Sequence, residues 1–258
     1  MSQTGPIDFH CHLDDPCYAG DRWQTIDRCF ASGFAQLVTV ADAYEERSLG
    51  LTLEILSRHA GIECTVGAHP HQADHYSAAI EKRIYDFMKR SKVLAVGEVG
   101  LDFHYDLSAR DSQVDAFRRQ VAIARECRLP LVIHSRQAEQ EVLDILAREQ
   151  FAQPVVFHCY TGDWTTAAEI IARGYFLSFS GIITFKKAGE LRTIVAKTPL
   201  GQMFSETDSP YLSPEPDRGK TNTPLAVVRV VEKIAEIKGI AIPELLSQIN
   251  KNFQRLRP

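Results

Sequence analysis

The sequence has no apolar run that approaches the roughly 20 residues a membrane-spanning helix needs. Its first residues, 1–7, contain neither the basic segment nor the apolar core of a secretory signal. The six cysteines are scattered and form no C-x-x-C pair, which argues against a thiolate zinc site and against a disulfide framework. We therefore expect a cytoplasmic protein that does not associate with a membrane.

Neither sign of charge is in large excess. The 258 residues include 29 lysines and arginines and 33 aspartates and glutamates, which gives a formal net charge of −4. A protein that grips nucleic acid over its whole surface would be basic, so any site for a polyanion has to be a local patch. The hydrophobic fraction of 45% and the charged fraction of 24% are those of an ordinary globular protein and exclude a disordered or fibrous chain.

Short β-branched runs alternate along the chain with amphipathic, helix-periodic stretches. The eight predicted strands are residues 6–10, 36–41, 63–68, 93–99, 131–135, 155–159, 175–180 and 203–207. The predicted helices are residues 23–31, 44–59, 78–89, 111–127, 139–149, 165–172, 188–196 and 224–237, and a last helix opens at Pro243. Eight strand–helix units in one chain predict an α/β fold, a (β/α)8 TIM barrel that forms a single domain over residues 1–258, since this fold typically takes about 250 residues. A doubly wound open sheet alternates in the same way and is the alternative.

The first predicted strand ends in two histidines. His10 and His12 are two residues apart, so in a strand they project from the same face and can hold one cation together. Imidazole suits Zn, Mn, Fe or Ni, and a nearby carboxylate widens the choice towards Mg. Cys11 lies between His10 and His12, and Cys159 directly follows His158. Because side chains alternate along a strand, we expect both cysteines to point away from a metal.

Other predicted strands end in the same kind of residue. Glu98 ends the fourth strand between two glycines, His134 ends the fifth, His158 the sixth and Asp208 the eighth. In a barrel the carboxyl ends of all strands converge on one mouth, where active sites lie. Four histidines and two carboxylates at that mouth favour a two-metal site over a set of unrelated buried polar residues.

The chain resembles the TatD family of metal-dependent deoxyribonucleases, which belong to the amidohydrolase-like barrels. The pieces that carry the resemblance run in family order over essentially the whole chain: residues 7–13 (IDFHCHL), 66–71 (VGAHPH), 97–102 (GEVGLD), 133–136 (IHSR), 158–162 (HCYTG), 206–212 (ETDSPYL) and 218–220 (RGK). The resemblance implies two divalent metal ions, Mg, Mn or Zn. It implies that His10, His12 and Asp208 hold one ion, that His134 and His158 hold the other, and that Glu98 bridges them. Related cyclic-amide hydrolases often bridge their metals with a carbamylated lysine, so Glu98 favours the nuclease branch.

The resemblance implies a hydrolase of phosphodiester bonds, a 3′→5′ exodeoxyribonuclease whose partner is single-stranded DNA ends. No obligate protein partner is evident in the sequence, so we expect a monomer. Two cations joined by one carboxylate can share a hydroxide and clamp both oxygens of an in-line displacement. We therefore interpret Glu98 and Asp208 as catalytic, with Asp208 as the general base or, alternatively, as a ligand only.

Further residues at the predicted mouth are candidates for substrate binding. His69 and His71 end the third strand and face either a substrate phosphate or a structural partner. Arg136 follows His134 and can orient a phosphate with two hydrogen bonds, or form a salt bridge. Lys187 and Lys220 belong to the rim, unless they are solvated loop charges. Several aromatic residues after strand ends can stack on unpaired bases or simply pack in the pocket, namely Phe103, His104, Tyr105 and Tyr160.

The chain departs from the family pattern at two places. Family members commonly read Arg-Asn-Glu-Pro after Gly-Lys, where this chain has Thr221-Asn222-Thr223-Pro224, and Lys187 stands where an asparagine is usual. Neither change touches an expected metal ligand, but both concern the handling of phosphate. A hydrolase of another small ester or amide remains the alternative, because the same barrel and metals serve carbonyl chemistry. A non-catalytic scaffold with one structural metal is disfavoured, since structural sites are closed and need no bridging carboxylate.

Overall fold

The computed structural model describes residues 4–91 and 93–257. Eight parallel strands pair with one another in chain order. They are β1 (Ile7–Cys11), β2 (Gln36–Asp42), β3 (Ile62–Gly67), β4 (Ala95–Asp102), β5 (Leu131–Arg136), β6 (Val155–Phe157), β7 (Phe176–Phe179) and β8 (Met203–Ser205).

The sheet closes where the chain beyond β8 meets β1. The backbone N–H of His12 donates to the carbonyl of Ser209 at 2.7 Å, and that of Asp208 donates to the carbonyl of His10 at 2.9 Å. Cys11 and Ser209 form a parallel bridge. The (β/α)8 TIM barrel predicted from the sequence is therefore confirmed, and the open-sheet alternative is wrong.

Helices follow the strands and cover the outside of the barrel. They are α1 (Arg22–Ala31), α2 (Glu46–Arg58), α3 (Ala78–Arg90), α4 (Arg110–Cys127), α5 (Glu139–Arg148), α6 (Trp164–Ala172), α7 (Gly189–Lys197), α8 (Val227–Lys238) and α9 (Ile242–Leu256). The helix predicted from residue 224 begins at Val227, because Pro224–Ala226 forms a short 3₁₀ helix first. Among the described residues, no helix is long and apolar enough to cross a membrane.

The last helix closes the amino-terminal end of the barrel. The Asn252 amide in α9 donates to the carbonyls of Leu200 and Met203, where β8 begins. Phe253 packs edge-on against Phe9, whose ring stacks on Phe204 with 4.3 Å between centroids. With that end covered, the carboxyl ends of the strands form the accessible face of the barrel.

Several strands are displaced from their predicted bounds in a way that matters for the site. β4 starts at Ala95 and continues to Asp102, whereas β6 stops at Phe157 and β8 at Ser205. His158 and Asp208 therefore lie just beyond strand ends. Both Cys159 and Asp208 have a positive φ, 43° and 54°, so the alternation of a strand does not extend to them.

Candidate metal centre

Glu98 is the centre of a cluster of histidines at the carboxyl end of the barrel. Its Oε1 lies 2.7 Å from His158 Nε2, 2.9 Å from His134 Nδ1 and 3.3 Å from His69 Nε2. Its Oε2 lies 3.3 Å from His10 Nε2. One carboxylate therefore contacts four imidazoles that come from four different strand ends.

Two glycines bring β4 close enough to β5 for this arrangement. A Cβ at Gly100, which has φ +140°, would lie 2.0 Å from the carbonyl oxygen of His134, and a Cβ at Gly97 would lie 2.7 Å from Cβ of Val132. A side chain at either position would push the strands apart. The Gly-Glu-Val-Gly pattern thus seats Glu98 beside His134.

The surroundings of Glu98 keep it ionised. Burial by itself would raise the pKa of this carboxyl, but the charge of His158 and hydrogen bonds from His10 and His134 hold its pKa well below the ordinary value. Against the effect of desolvation, hydrogen bonds with Asp102 and Glu98 raise the pKa of His134. The charges of Glu98 and Glu206 likewise raise the pKa of His158.

One half of the cluster consists of His10, His12 and Asp208. Asp208 Oδ1 lies 3.3 Å from His12 Nε2 and 3.8 Å from His10 Nε2, and the two imidazole nitrogens are 3.3 Å apart. Burial would raise the pKa of Asp208, but the hydrogen bond with His12 and the nearby imidazoles lower it. Against the effect of burial, the partnership with Asp208 raises the pKa of His12 to about 9.

The other half consists of His134 and His158, which share Glu98 Oε1. The ring of His158 also stacks on that of His10, with 4.0 Å between centroids. The potential ligand atoms form two compact groups. One group consists of His10, Glu98 and His158, and the other consists of His10, His12 and Asp208. The six residues predicted as metal ligands are thus brought together in one cluster.

This donor set fits divalent cations. Imidazole nitrogens and carboxylate oxygens are the ligands that Zn, Mn and Fe prefer. Ring nitrogens of His134 and His158 converge on one oxygen of Glu98, and that of His10 lies beside the other, so that a small volume is surrounded by potential ligand atoms from several sides. His10, His12 and Asp208 could hold one ion, His134 and His158 another, and Glu98 contacts both groups.

A third group of nitrogens, from His69, His71 and His134, is equally compact. However, His69 Nδ1 accepts a hydrogen bond from the backbone N–H of His71. Burial lowers the pKa of His69 to about 4, although Glu98 opposes this shift. The neutral ring therefore carries its proton on Nε2, which faces Glu98, and His69 is a hydrogen-bond donor rather than a ligand.

The cluster opens into a cavity of about 740 Å³. Arg136 lies on its wall, with the guanidinium over the ring of Tyr105 at 4.6 Å. Tyr105 is 53% exposed and Tyr211 is 54% exposed. The Tyr211 ring packs edge-on against His12. The cavity is lined by His12, His69, His71, Glu98, Tyr105, His134, Ser135, Arg136, His158, Cys159, Thr161, Ile182, Asp208, Tyr211 and Leu212.

The two lysines predicted at the rim do not line this cavity. The ammonium of Lys220 is 2.8 Å from Asp217 Oδ1, in a separate surface pocket that also contains Arg229. Lys187 is exposed. Both follow carboxyl ends of strands, but each lies outside the part of the mouth that surrounds Glu98.

The other aromatic candidates differ in position. Tyr160 is buried and its hydroxyl donates to the carbonyl of Asp163, so it packs the wall. Phe103 lies under the Arg110 guanidinium, and His104 pairs with Gln137. Of the four predicted stacking residues, Tyr105 alone lines the cavity.

Three residues of the site were not singled out by the sequence. Asp102, Glu206 and Tyr211 all contact histidines of the cluster. In the sequence, Asp102 and Glu206 are separated by an even number of residues from the predicted ligands Glu98 and Asp208, respectively. In a strand, such spacing places side chains on the same face, and this signal could have indicated both residues. The expectation that Cys159 points away is wrong: it lines the cavity and lies 3.2 Å from the Ser180 hydroxyl, because its positive φ breaks the alternation. Cys11 does point away, towards the carbonyl of Val38.

Comparison with known proteins agrees with this architecture. The sequence profile of a family described as TatD related DNase matches residues 7–257. The chain is 36% identical over 252 residues to YabD of Bacillus subtilis, an uncharacterized metal-dependent hydrolase, with 97% of this chain and 98% of that protein covered. It is 35% identical over 254 residues to YcfH of Escherichia coli, also an uncharacterized metal-dependent hydrolase, with 97% and 94% covered.

Solved structures are similar over the entire barrel. The TatD homologue YjjV of Escherichia coli superposes with a TM-score of 0.91 at 26% identity, covering 100% of this chain and 99% of that one. A TatD-family hydrolase from Entamoeba histolytica has a TM-score of 0.89 at 18% identity, with 100% and 99% covered, and this likeness concerns the fold alone. The chain thus belongs to the TatD-related DNase family and is a metal-dependent hydrolase of that family.

Proposed function

We propose that this protein hydrolyses phosphodiester bonds of DNA, as a 3′→5′ exonuclease on single-stranded ends that depends on two divalent metal ions. The single observation that carries the proposal is the contact of one buried carboxylate, Glu98, with histidines of both halves of the cluster. Such an arrangement suits a pair of metals that act on one substrate group. The family description, TatD related DNase, supports DNA as the substrate.

The ligands in this proposal are His10, His12 and Asp208 for one ion, His134 and His158 for the other, and Glu98 for both. Bound there, Mg, Mn or Zn would lower the pKa of water towards about 7 and would stabilise negative charge on a phosphate. Asp208 is ionised because neighbouring imidazoles lower its pKa. It can therefore accept the proton of an attacking water at neutral pH, which is the role of the general base.

The chain's own residues hold the substrate. His69 presents an N–H at Nε2 towards Glu98 and is well placed to donate to a phosphate oxygen that enters beside this carboxylate. His71 lines the same wall, and Arg136 offers two parallel donors to a phosphate. Lys187 and Lys220 lie farther out and would act on phosphates of a longer strand.

The shape of the cavity favours an unpaired end. A volume of about 740 Å³ is in the range of small-ligand pockets, roughly 300–1,000 Å³. A single nucleotide fits such a space, whereas a duplex does not. The exposed rings of Tyr105 and Tyr211 stand at the opening and are available to stack on unpaired bases.

One feature favours a second candidate, the hydrolysis of a small ester or amide. Arg136 is the one lysine or arginine among the residues that line the described cavity. A site that handles a polyanion usually offers more than one such contact. A small neutral substrate would need fewer contacts with lysine or arginine side chains.

The test uses short single strands labelled at the 3′ or the 5′ end, incubated with Mg²⁺, Mn²⁺ or Zn²⁺. The proposal predicts stepwise loss from the 3′ end, abolished by chelation and restored by added metal. Duplex DNA, RNA and a panel of esters and lactams are the comparison substrates. Full activity of protein shown by elemental analysis to be metal-free would refute the two-metal mechanism, and turnover of esters or lactams alone would favour the second candidate.

A further inference from the structure

A residue of the loop between β8 and α8 reaches back to the turn that carries Asp208. Asn222 is buried, and its side-chain amide donates to the carbonyl of Thr207 at 3.1 Å and to that of Tyr211 at 2.7 Å. Its backbone N–H donates to the carbonyl of Pro210 at 2.9 Å. One asparagine therefore holds the chain on both sides of Asp208.

Asn222 is anchored in turn by the segment that follows β1. The hydroxyl of Tyr18 donates to the backbone carbonyl of Asn222 at 2.7 Å. Asn222 and Pro224, which match the family pattern, are buried, whereas the two residues that depart from it, Thr221 and Thr223, are more exposed. The departures from the family pattern thus leave this anchor intact.

Asp8 in β1 holds the same turn from another side. Its carboxylate is fully buried, with Oδ1 2.8 Å from the backbone nitrogen of Thr207 and Oδ2 2.6 Å from the Thr207 hydroxyl oxygen. That hydroxyl also accepts from the backbone N–H of Ser209 at 3.1 Å. The hydrogen bonds from Thr207 satisfy a carboxylate that would be costly to bury without partners. Thr207 is therefore fixed at its N–H and hydroxyl by Asp8 and at its carbonyl by Asn222.

The turn needs such support because Asp208 has a left-handed backbone conformation, with a φ of 54°. An aspartate adopts this conformation less readily than a glycine, and a residue held there persists only where the surrounding structure over-determines it. In this conformation Asp208 Oδ1 lies 3.3 Å from His12 Nε2. Loss of the hydrogen bonds to Thr207 would let the turn relax and would move the carboxylate away from His12.

We propose that Asn222 and Thr207 are positioning residues that fix the direction of the Asp208 carboxylate, and with it the half of the metal centre that Asp208 shares with His10 and His12. Neither residue would touch an ion or the substrate. The effect should be confined to one ion, because the histidines of the other half come from the ends of β5 and β6. The inference rests on the metal centre of the proposed function, but not on DNA as substrate.

The test measures the affinity for Zn²⁺, by competition with a chromophoric chelator, in Asn222→Asp and Thr207→Val. These substitutions keep the size of each side chain but remove the amide donors and the hydroxyl. We expect one of two ions to bind about 10–100-fold more weakly in each variant, as is usual when a residue that orients a ligand is lost. Thr207→Ser keeps the hydroxyl and should bind both ions within about threefold of the parent. In long-range ¹H–¹⁵N spectra, the ring signals of His12 rather than those of His134 should follow the weakened step.

Asn252→Asp is the matched control. Asn252 is also fully buried, and its amide likewise donates to two backbone carbonyls, those of Leu200 and Met203 at the opposite end of β8. This variant loses the same kind of hydrogen bonds and gains the same charge, but it should bind both ions as the parent does. Circular dichroism and urea unfolding show which variants are folded. If Asn222→Asp does not fold, the two Thr207 variants decide.

The outcomes separate this inference from the proposed activity. Equal weakening in Asn222→Asp and Asn252→Asp would reveal a general effect of stability and would overturn the positioning role. Unchanged affinity in folded Asn222→Asp and Thr207→Val, or a weakened step that the His134 signals follow, would overturn it too. A parent protein that binds no Zn²⁺ would overturn both the inference and the metal centre. A selective loss at His12 in a protein whose parent fails to cleave DNA would support the inference and refute the nuclease.

Discussion

Replacing His69 by leucine tests whether this residue acts as a neutral hydrogen-bond donor. Its pKa is lowered to about 4, chiefly by burial, so at pH 7 only about one molecule in a thousand carries the imidazolium. Its Nδ1 accepts from the backbone N–H of His71, which leaves the proton on Nε2, 3.3 Å from Glu98 Oε1. The ring would therefore stabilise a phosphate through one N–H rather than through a charge.

The expected magnitude follows from that role. Removal of one donor that faces developing negative charge costs about 10²–10³ in rate, or about 2.7–4 kcal/mol. His69→Leu should show this loss. His69→Gln should stay within about tenfold of the parent, because a glutamine amide can present an N–H near the position of Nε2.

The assay is single-turnover cleavage of a 3′-labelled single strand at saturating Mn²⁺, from about pH 5.5 to about pH 8. Because the pKa of His69 lies well below this range, the ratio of parent to His69→Leu rates should be constant across it. Circular dichroism and metal content control for unfolding and for loss of the ions. Equal losses in the leucine and glutamine variants, or a ratio that collapses towards the upper end of the pH range, would refute the neutral-donor role.

Four other variants test the remaining roles. Asp208→Asn should lower the single-turnover rate by about 10²–10⁴ at unchanged metal content; a rate within a few-fold of the parent would mean that Asp208 is a ligand only. Arg136→Ala should reduce the slope of log affinity against log salt by about 0.7 for a short, non-cleavable single strand. An unchanged slope in Arg136→Ala would exclude a phosphate contact by this residue. The Lys187→Ala, Lys220→Ala double variant should reduce the slope only with a strand that is long enough to reach the rim. In chelator-treated protein, the raised pKa of His12, about 9, contributes stability that is fully present below about pH 6.5 and is lost as the pH rises through about 9, by about 3 kcal/mol. In urea unfolding, the parent should lose more stability over this range than His12→Asn, in which only His134 and His158 keep raised pKa values; parallel curves would contradict the shift of His12.

The barrel and the ligand cluster could be predicted because both follow from simple periodicities. Strand–helix alternation defines the barrel, and polar residues that end apolar strands must meet at its mouth. His10, Glu98 and His134 show this directly, since each lies within a strand. His158 and Asp208 also lie in the cluster, although β6 and β8 end before these residues.

The limits of the sequence appear where the strands stop. Beyond β6 and β8 the positive φ values of Cys159 and Asp208 change which side chains face the cavity, and no alternation rule predicts them. The rim is similar: Lys220 pairs with Asp217 in the same loop, outside the cavity around Glu98, and no strand periodicity predicts this pairing. Which ring nitrogen faces Glu98 depends on distances between strands and is likewise not contained in the order of residues.

The charge of the cluster would allow a protein of net charge −4 to attract a polyanion, the substrate proposed above. The pKa values of Glu98, Asp102 and Asp208 are lowered, which favours their negative form, and the pKa values of His12, His134 and His158 are raised, which favours imidazolium in the absence of metal. Metal ligation requires neutral imidazoles, so binding of the ions releases these protons. Two divalent ions would bring four positive charges and displace the protons of at most these three imidazoles, so the mouth would gain positive charge. Metal binding would therefore do more than supply chemistry, because it would make the mouth more favourable for phosphate while the net charge of the protein chain stays negative.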